Sequence, residues 1–214
     1  MFRMIVVLFW VVFNSAAHAG PSFDPMVLKG GDILLQKTTG GQSMAVADAT
    51  NSPYTHAAMV FMRKGQPFVL EAIGPVKWTP LDRWIRQGSS QHVVVLRLKD
   101  ESPLANGGRT KLRDAAKAFL GYPYDLLFQW SDERIYCSEL VFKAYKSALD
   151  MDIGALEPLS DFNLESPAVK MLIRERVKGQ LDTAELIVSP VSLMHDSDVR
   201  MVFTNDPVLK VSDE

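Results

Sequence analysis

Ile135-Tyr136-Cys137-Ser138-Glu139-Leu140 holds the chain's one cysteine and the start of its clearest helical pattern. Downstream, Leu140, Val141, Ala144, Tyr145 and Ala148 recur at three- and four-residue spacing. That spacing predicts an amphipathic helix from Cys137 towards Leu149, with the thiol on the apolar stripe at its first turn. A helix start leaves N–H groups without intrahelical partners and carries about half a positive charge. A thiol held there ionises more easily, and the thiolate is the nucleophilic form. The Cys137 N–H can also face the oxyanion that forms when sulfur attacks a carbonyl. A lone cysteine has two other readings: a buried structural residue, or one half of an intermolecular disulfide.

Upstream, the pattern changes from helix to strand. Ile33-Leu34-Leu35-Gln36 follows the turn Gly30-Gly31-Asp32, and Met44 to Ala49 suggests a short helix broken at Asn51-Ser52-Pro53. Tyr54 to Met62 and Phe68 to Ile73 read as two strands joined near Lys64-Gly65, a hairpin. Pro80 to Ile85 suggests a short helix capped by Thr79, and Val93 to Leu98 is β-branched enough for another strand. Arg109 to Leu120 is helical in period and ends at Gly121. In the tail, Leu164 to Lys178 suggests a helix entered through Ser166-Pro167, and Ala184 to Val188 a short strand. Helices beside hairpin-connected strands imply an α+β domain with an antiparallel sheet.

A cysteine nucleophile needs a base, most often histidine. His56 lies inside a predicted strand beside Ala57 and Ala58, which leave room for a second group to approach. His92, after a polar run, reads as solvated, and His195, among Asp196, Ser197 and Asp198, as a surface residue. A hairpin turning at Lys64-Gly65 sets His56 opposite Ile73, so Glu71 lies one diagonal step away on the same face. Glu71 there can hold the imidazole in its productive tautomer; facing solvent is its alternative. Tyr124, in the rigid turn Gly121-Tyr122-Pro123-Tyr124-Asp125, can donate to an oxyanion or a substrate, whereas Tyr122 reads as core. Phe128, Trp130 and Trp84 can line a groove or pack the core. One cysteine and, beyond His18 near the N-terminus, three scattered histidines give no metal-ligand spacing, and no glycine-rich phosphate loop is present, so no cofactor is expected.

The first nineteen residues read as an export signal. Met1-Phe2-Arg3 supplies a positive start, Met4 to Phe13 an apolar run too short to span a bilayer, and Ala17-His18-Ala19 a cleavage pattern. The expected mature chain is a single domain over 20–214, periplasmic or secreted, with no later membrane-spanning candidate. Losing Arg3 takes the net charge from −2 to −3. With no basic block, nucleic acid is not an expected partner.

In order, Gly31-Asp32-Ile33-Leu34, Ser52-Pro53-Tyr54-Thr55-His56, Val69-Leu70-Glu71-Ala72, Gly121-Tyr122-Pro123-Tyr124-Asp125 and Tyr136-Cys137-Ser138-Glu139-Leu140-Val141 resemble the YiiX/YebB-like cysteine hydrolases. These are a circularly permuted branch of the NlpC-type, papain-like superfamily. The likeness spans about Lys29 to Leu149, and Pro158 to Asn163 shares it. Histidine precedes cysteine, as the permuted order requires. Ala58 stands where many relatives have glycine, and Ala57 where valine is common. The resemblance implies a permuted papain-like fold with Cys137 as nucleophile, His56 as base and Glu71 orienting that base. By location, it suggests amides of cell-wall peptide fragments as substrate. The alternatives are a lipid amide or ester acyl hydrolase or acyltransferase, and a non-catalytic binding module on the same scaffold.

Overall fold

The computed structural model describes residues 23–211, so the expected export signal lies outside the described residues. Among the described residues the strands are β1 Ile33–Gln36, β2 His56–Arg63, β3 Gln66–Glu71, β4 Lys77–Pro80, β5 Val94–Leu98, β6 Leu156–Pro158, β7 Leu186–Val188 and β8 Val199–Thr204. The helices are α1 Gly41–Thr50, α2 Leu81–Gln87, α3 Gly108–Lys117, α4 Cys137–Leu149, α5 Pro167–Arg176 and α6 Pro190–Met194. The main sheet is antiparallel throughout, in the order β4-β3-β2-β1-β5-β8, and β6 pairs with β7 apart from it.

The β2–β3 hairpin turns at Lys64-Gly65, both at positive φ (50° and 77°). A two-residue turn of that hand matches the twist of the flanking strands and fixes their register. Arg63 pairs with Gln66 and Met59 with Leu70. Carried to the start of β2, this register sets His56 opposite Ile73, as the sequence predicts.

Both faces of the sheet are covered, which explains why β1 and the first six residues of β2 are buried without a break. Ile33, Leu35, Ala57, Met59 and Leu70 pack with Leu112 of α3 and Leu140, Val141 and Ala144 of α4. The alternate residues Leu34, Ala58, Val60, Val69 and Val95 pack under Leu81 and Trp84 of α2. Each of the valine, leucine, isoleucine and methionine side chains contributes about 1.5–3 kcal/mol on full burial. Tyr145 of α4 donates its hydroxyl to the Gly31 carbonyl at 2.5 Å, pinning the helix to the turn that enters β1. A third cluster, Ala45 of α1 with Ala168 and Val169 of α5, holds those two helices together away from the sheet.

Three expectations change. The expected helix cap, Thr79, lies in β4, a strand the sequence reading passed over; Pro80 takes the N-cap position of α2 and offers no side-chain cap. The segment Val199–Thr204, for which the sequence reading proposed no element, closes the sheet as β8 against β5. The helix expected to run to Leu120 ends at Lys117, and 118–121 continue as turn through Gly121.

Candidate active site

Cys137 is the first residue of α4 and is 4 % exposed. The helix start is anchored on three sides. Glu139 accepts from the Tyr136 N–H at 3.1 Å, Ser138 donates to the Val188 carbonyl at 2.7 Å, and the Tyr136 hydroxyl accepts from the Val188 N–H at 3.1 Å. Such anchoring fixes the sulfur at the helix terminus, where unpaired N–H groups favour negative charge. Its burial also removes the disulfide-dimer reading of a freely exposed thiol.

His56 opens β2 and is 6 % exposed. Its parity sets it on the α2 face of the sheet, with its ring 6.2 Å from that of Trp84. His56 Nε2 and Glu71 Oε2 are 2.7 Å apart, and the other carboxylate oxygen, Oε1, accepts from the Thr79 hydroxyl at 2.5 Å. Glu71 is fully buried with both oxygens satisfied. The solvent-facing alternative for Glu71 is therefore overturned.

The protonation of these groups follows from their neighbours. Burial alone pushes the Cys137 thiol up, but hydrogen bonding and charge from His56 outweigh it, helped by the Ala57 and Ser138 N–H groups, and the thiol is lowered. Burial opposes the His56 imidazolium, yet Cys137 and Glu71 more than offset it and raise its pKa to about 10. Burial likewise opposes the Glu71 carboxylate, and His56, Thr79 and Lys77 together hold it lowered. All three shifts run in the direction of thiolate, imidazolium and carboxylate in series, and the macroscopic pKa values belong to the set.

Tyr124 also reaches Cys137. Burial, then the charge and hydrogen bonding of Cys137, raise its phenol well above the ordinary tyrosine value. It is therefore a donor and not a base near neutral pH. Its oxygen accepts from Gln42 Nε2 at 3.2 Å, leaving its own proton free for sulfur or an oxyanion.

Next to Cys137 opens a cavity of about 120 Å³ between α1, α5 and β7. Ala45, Phe128, Phe162, Val169, Leu172 and Ile187 represent its mainly aliphatic and aromatic lining.

A thiol at a helix start, a strand histidine and a carboxylate from the neighbouring strand, in that inverted chain order, match known proteins. A model of the family described as "Permuted papain-like amidase enzyme, YaeF/YiiX, C92 family" matches residues 27–203. The chain belongs to this family. Its fold is accordingly the α+β, circularly permuted papain-like domain. An Escherichia coli (strain K12) member, described as uncharacterized protein YiiX, is 43 % identical over 160 residues, covering 75 % of this chain and 78 % of that one. The crystal structure of a protein described as metalloprotein yiiX from Escherichia coli O157:H7 matches with a TM-score of 0.77 at 40 % identity, over 82 % of this chain and 96 % of that one. Among the described residues of this family member, no three His, Cys, Asp or Glu side chains are grouped to hold a metal ion.

The sequence-derived set Cys137, His56, Glu71 and Tyr124 is brought together, and the other named residues are placed as follows. His195 is exposed. His92 is half-buried beside Asp206 (Nδ1–Oδ1 3.8 Å) and not simply solvated. Trp84 is buried under His56, Trp130 stacks edge-on against Phe142, and of the three aromatic groove candidates Phe128 lines the cavity. Two residues at the site were missed. Thr79 is visible once Lys77–Pro80 is read as a strand in register with β3; Gln42, inside a small-residue stretch, carries no sequence signal.

Proposed function

We propose that this protein is a cysteine amidase whose substrate carries an apolar acyl half. The observation that carries this reading is the apolar cavity, because Cys137 itself forms part of its wall. An acyl chain seated there brings its carbonyl carbon to Sγ. The cavity supports the acyl-amide reading over cell-wall peptides, whose polar stems gain little from such a lining.

In this mechanism the thiolate attacks the carbonyl carbon, and the carbonyl oxygen takes negative charge. The Cys137 N–H and the Tyr124 hydroxyl are the donors nearest that oxygen. The His56 imidazolium gives its proton to the leaving nitrogen, the C–N bond breaks, and a thioester remains. Neutral His56 then takes a proton from water, hydroxide adds to the thioester, and the thiolate leaves as the carboxylic acid forms. Glu71 stabilises the imidazolium and keeps Nε2 occupied, so that Nδ1 serves Cys137. Export, supported by residues 1–19 of the sequence, would place this chemistry outside the cytoplasm.

The test is a series of fluorogenic N-acyl amides from acetyl to dodecanoyl. We expect kcat/KM to climb with chain length, by about 4-fold per buried methylene until the cavity is filled, and Ala45→Trp to abolish the climb. Cleavage of wall stem peptides with no turnover of acyl amides would overturn this choice of substrate. Absence of either activity, with Cys137 unreactive, would favour a binding module.

A further inference from the structure

We propose that Thr79 is a positioning residue of this site: its hydroxyl locks the Glu71 carboxylate in the orientation that holds His56 towards Cys137. The proposal rests on the Cys137–His56–Glu71 reading but on no particular substrate.

The geometry is specific. Thr79 pairs with Val69 across β3–β4, so it shares a sheet face with Glu71 two residues on. It is 2 % exposed, and the hydroxyl-to-Oε1 distance is 2.5 Å. Glu71 has two buried oxygens, and His56 serves one of them. Without Thr79 the second would have no partner among the described contacts, and a buried carboxylate lacking one hydrogen bond favours its protonated form. A protonated Glu71 no longer stabilises the imidazolium, and the thiolate loses its counter-ion. The charged and titratable groups facing Glu71 are His56 from β2 and Lys77 from β4, with Cys137 of α4 and Tyr124 beyond His56. Lys77 gives charge without a hydrogen bond to Oε1, so it cannot set the direction of the carboxylate.

β4 has no other evident need for a threonine at this point. Pro80 takes the cap position of α2, so the hydroxyl is not spent on the helix. A valine fills the same volume and favours strands equally.

The experiment is the iodoacetamide alkylation rate of Cys137 against pH in wild type, Thr79→Val and Thr79→Ser. We expect the acidic limb to move up by about one pH unit or more in Thr79→Val, and Thr79→Ser to stay with wild type. In a Glu71→Gln background, adding Thr79→Val should cause no further shift, because the two act as one unit. If Thr79→Val does not fold, Thr79→Ala against Thr79→Ser asks the same question, since that pair differs only in the hydroxyl. Superimposed profiles for variants with and without the hydroxyl would reduce Thr79 to a packing role. A full shift persisting without Glu71 would show that Thr79 acts elsewhere. A wild-type thiol titrating as a free one would remove the ion pair and this proposal together, whereas missing amidase turnover counts only against the substrate reading.

Discussion

The two faces of the sheet bury opposite kinds of chemistry. On the α3–α4 side the packing is aliphatic and aromatic, and α4 presents the thiol of Cys137 at its terminus. On the α2 side a polar line of His56, Glu71 and Thr79 runs across β2, β3 and β4 beneath an indole. The first face holds the sulfur still; the second sets its charge. The residues that fix the helix thus differ from those that fix the proton.

That division can be broken from either side. The largest effect belongs to Cys137→Ala, which should abolish alkylation and lower acyl-amide turnover by about 10⁴-fold or more, with thermal unfolding nearly unchanged; a loss below tenfold would end the covalent mechanism. Glu71→Gln should lower kcat by about 10²–10³-fold and raise the pH at which Cys137 reacts, measured by stopped-flow labelling. A comparable loss of kcat with an unmoved pH profile would place Glu71 outside the proton path. On the other face, Leu140→Ala should cost about 2–5 kcal/mol in urea unfolding, while leaving the alkylation profile of the folded fraction in place. Smallest is Tyr145→Phe, about 1 kcal/mol of stability from the lost bond to the Gly31 carbonyl and no shift in thiol reactivity; a shift there would mean that the faces are coupled.

pH sharpens the same contrast. His56 has a folded pKa raised to about 10 from an ordinary 6.5. Its contribution to stability is therefore full below about pH 6.5 and lost as pH rises through about 10. Glu71 has the opposite sign: lowered when folded, it stabilises above its ordinary range and loses that as pH falls. In His56→Ala the alkaline loss should disappear from a urea-unfolding series spanning pH 6 to 10.5.

The sequence was most legible where short-range rules act. Lys64-Gly65 is a turn that dictates its own register, so the His56–Glu71 diagonal followed from counting residues. The helix start at Cys137 followed from periodicity, and α4 begins at that residue. Thr79 was misread because a threonine before Pro-Leu-Asp satisfies the local pattern of a helix cap. The tertiary contact that claims its hydroxyl comes from a strand eight residues earlier in sequence. β8 was hidden because Val199–Thr204 pairs with β5, about a hundred residues away, and such pairing leaves little local trace. The cavity was invisible for the same reason: α1 and α5 meet only in three dimensions.

The most direct test of the account is the alkylation rate of Cys137 against pH in wild type and His56→Ala. A thiolate–imidazolium pair predicts wild-type reactivity persisting well below the free-thiol pKa of about 8.5, and its loss in His56→Ala. Coincident profiles in the two proteins, each rising near that free-thiol value, would contradict the account.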